Sequence, residues 1–235
     1  MAKTDNNHKV YINADGERVM RITEIIKVLA KDQLMVWANM LGLEGISYRK
    51  EMIRTSNIGT MFHGVIEQYT TPGELAEIDF DAYEIYDYKS RVEATNALKS
   101  FFKWFDTVSS WYHIKFTEKV LVGKKYGGTI DCGINGRKDP NKVIFVDYKS
   151  SKDFYLSQVF QLAGYVRLYE EVEGPDTVEG IMIVHADKKN ATPAKALYFS
   201  REALEPFLVG FDCLYNTAVV TRMLNTSWRD LGEEV

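Results

Sequence analysis

The strongest periodic signal lies between residues 114 and 200. In the segment Tyr126 to Asn135 (YGGTIDCGIN) apolar and polar positions alternate, the period of a strand. A turn rich in Gly, Asn and Pro follows, and Val143-Ile144-Phe145-Val146 then forms a continuous apolar run of strand length, so strands are predicted from 114 to 149. The period changes after that. From Tyr155 to Glu171, the residues Leu156, Val159, Phe160, Ala163, Val166 and Leu168 recur at helical spacing and predict a helix that packs on the sheet. A hairpin from 178 to 200 and a closing helix from about 201 to 224 complete the chain. Upstream, a hairpin around Asn13-Ala14-Asp15-Gly16 precedes helices running to about residue 108. Thr23 is the expected N-cap of the first helix, which contains Trp37. The acidic and aromatic segment Thr71 to Asp87 reads as an inserted loop or short lid. A helical beginning, a central mixed sheet and flanking helices predict an α/β fold.

At 235 residues and 46% hydrophobic, the chain can bury one substantial core, and no Pro/Ser-rich linker or internal repeat divides it. A single domain over 1–235 is expected, with a mainly helical part (1–110), the sheet and its following helix (111–200), and a C-terminal helix and tail (201–235). No apolar stretch approaches the roughly 20 residues that span a bilayer, and MAKTDNNHK lacks the apolar core of a signal peptide, so a cytoplasmic protein is expected. Cys132 and Cys213 are too few for a disulfide scaffold or a four-cysteine cluster. The formal net charge of −4 does not advertise a nucleic-acid binder, although a local basic track is compatible with it.

The candidate chemistry sits at the strand ends. Asp131 falls on the first predicted strand, and Asp147 and Lys149 follow the apolar run of the second. Being two apart, Asp147 and Lys149 leave the same face of their strand while Tyr148 points away. Two carboxylates on neighbouring strands suit Mg²⁺ or Mn²⁺, and the ammonium adds a point charge for an attacking water or a transition-state oxygen. Asp-x-Lys by itself says little, since it occurs three times here. The copy at Asp87-Tyr88-Lys89 repeats the DYKS tetrapeptide at the start of a charged helical segment and reads as a solvated face. The copy at Asp187-Lys188-Lys189 runs into Asn190-Ala191-Thr192-Pro193 and reads as a turn. Only the copy at 147 has an Asp-bearing strand before it and a Gln-bearing helix after it.

On that helix, Gln158, Gln161 and Tyr165 lie along one flank. Further upstream, Gly59-Thr60-Met61-Phe62-His63-Gly64-Val65-Ile66-Glu67 places His63 and Glu67 four apart, on one helix face, where both could reach one ion. The succession G-T-I-D, V-D-Y-K-S-S and Q-L-A-G-Y, preceded by G-T-x-x-H-x-x-x-E, resembles the RecB-like branch of the PD-(D/E)XK nuclease superfamily. That resemblance implies a restriction-endonuclease-like core and a Mg²⁺- or Mn²⁺-dependent deoxyribonuclease. It implies metal binding by His63, Asp131, Asp147 and the backbone carbonyl of Tyr148, with Glu67 as a further candidate, and a catalytic role for Lys149. Gln161 and Tyr165 would position DNA. Glu118 also occupies a position where the family often has an acid. With two cysteines the chain departs from relatives that carry an iron–sulfur cluster, and without helicase domains it resembles compact stand-alone exonucleases of phages and mobile elements. The implied substrate is DNA, single-stranded or with free ends, and recombination or replication proteins are the implied partners. Candidate phosphate contacts are Arg49, Lys50, Arg54, Lys124, Lys125 and Lys152, and candidate stacking rings are Tyr126, Tyr148, Phe154 and Tyr155. The alternatives are a non-catalytic DNA-binding or assembly protein on the same fold and a structure-specific endonuclease.

Overall fold

The computed structural model describes residues 9–29, 32–70, 78–151 and 153–227. Its centre is a mixed sheet of β1 (Tyr11–Ile12), β2 (Arg18–Arg21), β3 (Ile114–Val122), β4 (Tyr126–Asn135), β5 (Val143–Lys149), β6 (Val178–His185) and β7 (Lys195–Ser200). The order is β1-β2-β4-β5-β6-β7, with β3 also paired to β4. The helices are α1 (Ile22–Ile25), α2 (Asp32–Leu43), α3 (Tyr48–Thr70), α4 (Tyr88–Val108), α5 (Leu156–Glu173) and α6 (Glu205–Ser227). Each face of the sheet is covered by helices, and each has its own core. On one face Ile144, Val146 and Tyr148 pack with Ile58, Phe62 and Phe101 of α3 and α4. On the other, Val143 and Phe145 pack with Leu162, Val166 and Phe211 of α5 and α6. Burial on both faces is why β5 reads as an unbroken apolar run rather than an alternating one.

The strands, the N-terminal hairpin, α5 and the 178–200 hairpin fall where the periodicity puts them. The first helix does not. Arg21, with extended backbone (φ −76°, ψ 142°), is the cap, and its N–H donates to the Glu24 carboxylate at 3.0 Å. Thr23 therefore lies inside α1. The chain then tightens into a 3-10 turn over Ile26–Val28 and leaves helical geometry at Leu29 (ψ 132°). Trp37 consequently belongs to a separate helix, α2, where its ring meets Tyr48 edge-on at 5.3 Å. Part of the acidic insertion, residues 71–77, lies outside the described residues.

The pairing of β4 creates the feature that matters most. β2 runs parallel to its beginning at Tyr126 and Gly127, and β5 runs antiparallel to its end from Cys132 to Asn135. Between them, among the described residues, positions 128–131 have β3 on one edge and no strand on the other. The alternation of β4 also breaks there, because Ile130 lies in the α5–α6 core and Cys132 in the α3–α4 core. Opposite the break, between the pairs Thr117 with Cys132 and Lys119 with Ile130, Glu118 adopts a left-handed backbone (φ 45°). Such strain persists only where the surroundings over-determine it, and it concentrates at functional sites. Meanwhile β5 continues past the fork with β6, Asp147 beside Ile183 and Lys149 beside His185.

Candidate active site in the fork between β4 and β5

The fork collects the predicted residues from four elements. Asp131 comes from the unpaired stretch of β4, Asp147 and Lys149 from the end of β5, His63 from α3 and Tyr165 from α5. Lys149 Nζ donates to Asp147 Oδ1 at 2.8 Å, with the Asp147 side chain 3% exposed. His63 Nδ1 lies 3.3 Å from Asp131 Oδ2 without forming a hydrogen bond. The backbone of Tyr148 borders both the His63 ring and the Asp131 carboxyl. Tyr148 itself is locked by its side chain, which shares a 2.8 Å hydrogen bond with Tyr112 inside the α3–α4 core. That buried ring cannot stack on bases, and neither can Tyr126, which packs edge-on against Phe211 at 5.3 Å.

Unsatisfied oxygens separate this cluster from the other acids. Asp131 Oδ2 and Asp147 Oδ2 are buried and accept no hydrogen bond. Glu179, also buried, instead accepts from the backbone N–H groups of Arg137, Lys138 and Asp139 at 3.0, 2.9 and 3.1 Å. The Asp-x-Lys copies elsewhere are likewise satisfied. Asp87 is exposed, as a solvated face requires, and it also caps α4, accepting from Ser90 N at 2.9 Å and Ser90 Oγ at 2.6 Å. Asp187 accepts from Lys189 N, Asn190 N and Thr192 Oγ1 in its turn, and these donors hold its pKa down at about 2. A buried oxygen without a donor costs stability, so two in one cluster mark a place kept for a ligand rather than for the fold.

Burial dominates the electrostatics. It pushes Asp147 up to about 6 against the pull of Lys149, with Asp131 adding to the rise, and it raises Asp131 as well. Burial and then the Lys149 charge push His63 down to about 4, leaving its imidazole neutral near pH 7. Burial works against the Lys149 ammonium, but Asp147 and Asp131 overcome it and raise its pKa. The fork thus holds a fixed ammonium, a neutral imidazole and two acids.

The donor set fits a hard divalent cation, with two donor-free carboxylate oxygens, one neutral imidazole and an adjacent main-chain segment. Among the described residues, no three His, Cys, Asp or Glu side chains are already drawn together tightly enough to enclose an ion. Lys149 occupies Asp147 Oδ1 instead. Glu67 lies one turn beyond His63, exposed, and its charge reaches Asp131 without its side chain joining the cluster.

The flanks are built by glycine. Gln161 Nε2 donates to Tyr165 OH at 3.2 Å, and the Tyr165 ring lies so close to Gly128 that a Cβ there would sit 2.4 Å from Cε1. Its neighbour Gly127 admits the ring of Tyr11 in the same way, at 2.7 Å, and Tyr11 OH bonds Thr129 Oγ1 at 2.9 Å. Tyr11 is a site neighbour that sequence reasoning missed; the Gly-Gly pair was its only trace. Gly128→Ala should therefore lower stability by about 1–3 kcal/mol through overpacking, measured as the shift in thermal midpoint, and an unchanged midpoint would show that Tyr165 is not wedged there. Arg54 is not in the cluster. It pairs with Glu51 at 2.6 Å and Glu93 at 3.0 Å and ties α3 to α4. Arg49, Lys50, Lys124 and Lys125 are exposed, and Lys152 lies outside the described residues.

No protein-family profile matches the chain, and no curated protein does either. Solved structures similar in outline include the following two. One is a protein from Eubacterium rectale provisionally named an exonuclease, with TM-score 0.42 and 13% identity over 68% of this chain and 67% of that one. The other is SSO0001, with TM-score 0.38 and 12% identity over 94% of this chain and 79% of that one. At these values neither likeness bears on function, which has to be read from the side chains. The chain is an α/β protein with a mixed sheet flanked by helices, and no described helix is long and apolar enough to cross a membrane.

Proposed function

We propose that the fork is the centre of a metal-dependent DNA nuclease of the RecB-like PD-(D/E)XK type, acting on DNA ends. The observation that carries this reading is the pair of buried, donor-free oxygens of Asp131 and Asp147 beside the ammonium of Lys149. Asp131, Asp147, His63 and the Tyr148 backbone would hold Mg²⁺ or Mn²⁺. A bound divalent ion would polarise the scissile phosphate and acidify its water. Lys149, kept charged by two carboxylates, serves as a fixed cation for the charge that grows on the phosphoryl oxygens and not as a base. Asp147, with Oδ1 bonded to Lys149 and Oδ2 left for the ion, would hold the ammonium and the metal beside one another. Gln161, half-buried on α5, would orient the polynucleotide, and Tyr165, its ring buried against Gly128, would hold Gln161 in place.

Action on ends predicts that linear single-stranded DNA is degraded with Mg²⁺ while a covalently closed circle of the same sequence resists. Equal loss of both would make the protein an endonuclease. For His63, substitution by alanine should weaken metal affinity by at least about tenfold and leave activity partly rescuable by high Mn²⁺, which accepts nitrogen ligands more readily than Mg²⁺. A fall in thermal midpoint with an unchanged metal titration would instead make His63 a packing residue.

A further inference from the structure

The two Asp-x-Lys tripeptides that do no chemistry in the fork lie about a hundred residues apart in sequence, yet they meet in space. Tyr88 and Lys89 from the first, and Lys188 and Lys189 from the second, line one open recess of about 370 Å³, floored by Val92. We propose that this recess is a secondary binding site for single-stranded nucleic acid, in which Lys89, Lys188 and Lys189 hold the phosphate backbone and Tyr88 stacks on a base. The assignment of DNA as occupant rests on the nuclease reading; the recess itself does not.

Charge supplies the first argument. Arg54, Arg91, Arg167, Arg201, Lys119, Lys142 and Lys149 each pair with a carboxylate. Lys89, Lys188 and Lys189, like several other surface lysines, have no ion pair among the described residues, but these three line one recess. The acid in the recess, Glu93, and the nearby Glu51, whose charge also reaches Lys89 and Lys188, are both engaged by Arg54. Burial pushes the Lys188 ammonium below its usual range, with Glu93 opposing and Arg54 adding, so an anion would relieve a strained charge.

Exposure and rigidity supply the second argument. Tyr88 is 83% exposed, a large flat ring left in water next to cations, which is the combination that holds unpaired bases; a duplex would offer only phosphates. The lysine-bearing loop is fixed in advance, since Asn96 Nδ2 donates to the carbonyls of Lys188 and Lys189 at 3.3 and 2.9 Å and Asp187 holds the turn. Position supplies the third. His185 lies beside Lys149 at the end of β6, and Lys188 follows three residues later, within roughly 11 Å of chain. That separation is no more than the length of a few nucleotides.

Binding of fluorescein-labelled dT20 to Asp147→Asn protein, in chelator and over a range of salt, tests this apart from hydrolysis. Replacing Lys89, Lys188 and Lys189 by Gln should weaken binding at least about tenfold and flatten the log–log salt slope by about 2, from three cations on a single strand. Because Lys188 is half-buried, the exposed pair Lys89→Gln with Lys189→Gln serves as a second variant, expected to flatten the slope by about 1.4. Tyr88→Ala should cost about tenfold with the slope unchanged. Unaltered affinity and slope in the lysine variants would overturn the proposal. So would equal loss of dT20 and polyglutamate binding with no effect of Tyr88→Ala, which would mark an unspecific anion patch. If the variants behave as expected while wild-type protein cleaves nothing with any divalent ion, the recess stands and the nuclease reading fails.

Discussion

Asp147→Ala and Lys149→Ala are each expected to reduce DNA hydrolysis by about 10² or more, measured as initial rate on end-labelled DNA, with circular dichroism reporting an intact fold. Asp147 is buried with one oxygen given to Lys149 and the other to nothing, which leaves a carboxylate oxygen for a ligand. Asp187→Ala is the matched control, because that carboxylate is consumed by its own turn and should leave the rate within a few-fold. Wild-type turnover in Asp147→Ala would remove the fork from the mechanism.

The second large effect is on stability, and its sign is unusual. In the metal-free protein Asp147 titrates at about 6 against a usual 3.8, because burial disfavours its charge. Below pH 4 both folded and unfolded states carry the proton and nothing is gained or lost. Between pH 4 and 6 the unfolded state releases it first, so folding weakens as pH rises, and above 6 the penalty is complete. Asp147→Asn removes that penalty and leaves one acid, Asp131, facing one ammonium. The variant should be more stable than wild type by about 1–3 kcal/mol at pH 8 and equal to it at pH 4. Lys149→Ala should act oppositely, leaving two buried carboxylates without compensation and lowering the midpoint at pH 8 but not at pH 4. Denaturant melts in chelator at the two pH values check both signs; an Asp147→Asn protein less stable at pH 8 would mean that the acid serves the fold.

Much of this was legible in the chain. The alternation of residues 126–135, the apolar run into Asp147 and the helical spacing after Tyr155 mark elements whose burial pattern is local, and the structure has them within a few residues of expectation. The break between α1 and α2 was not legible, because Arg21 caps through Glu24 and the later 3-10 turn follows the packing of Ile22 and Ile25. The fork itself was hidden for a stronger reason. Which strand lies beside positions 128–131 depends on pairings with residues far away in sequence, and no periodicity within β4 encodes them. Arg54 looked like a phosphate contact because its partner Glu93 is 39 residues distant. The solvated face at Asp87 was legible but its cap was overlooked, although an Asp three residues before Ser90 at a helix start is a cap signal. Gly127 was seen only as a strand residue and Gly128 as the start of G-T-I-D, while the rings of Tyr11 and Tyr165 explain why both are glycine.

On the proposed reading, Asp131 and Asp147 hold a divalent ion with which the fork hydrolyses phosphodiesters. A titration of Mg²⁺ and Mn²⁺ into wild-type, Asp131→Asn and Asp147→Asn proteins, following heat release and the cleavage of end-labelled linear DNA on the same samples, addresses it directly. Saturable metal binding and metal-dependent cleavage are expected in wild type, abolished by chelator, with both signals lost together in each Asn variant. Cleavage that persists in chelator, or metal binding that survives both substitutions, would contradict that reading.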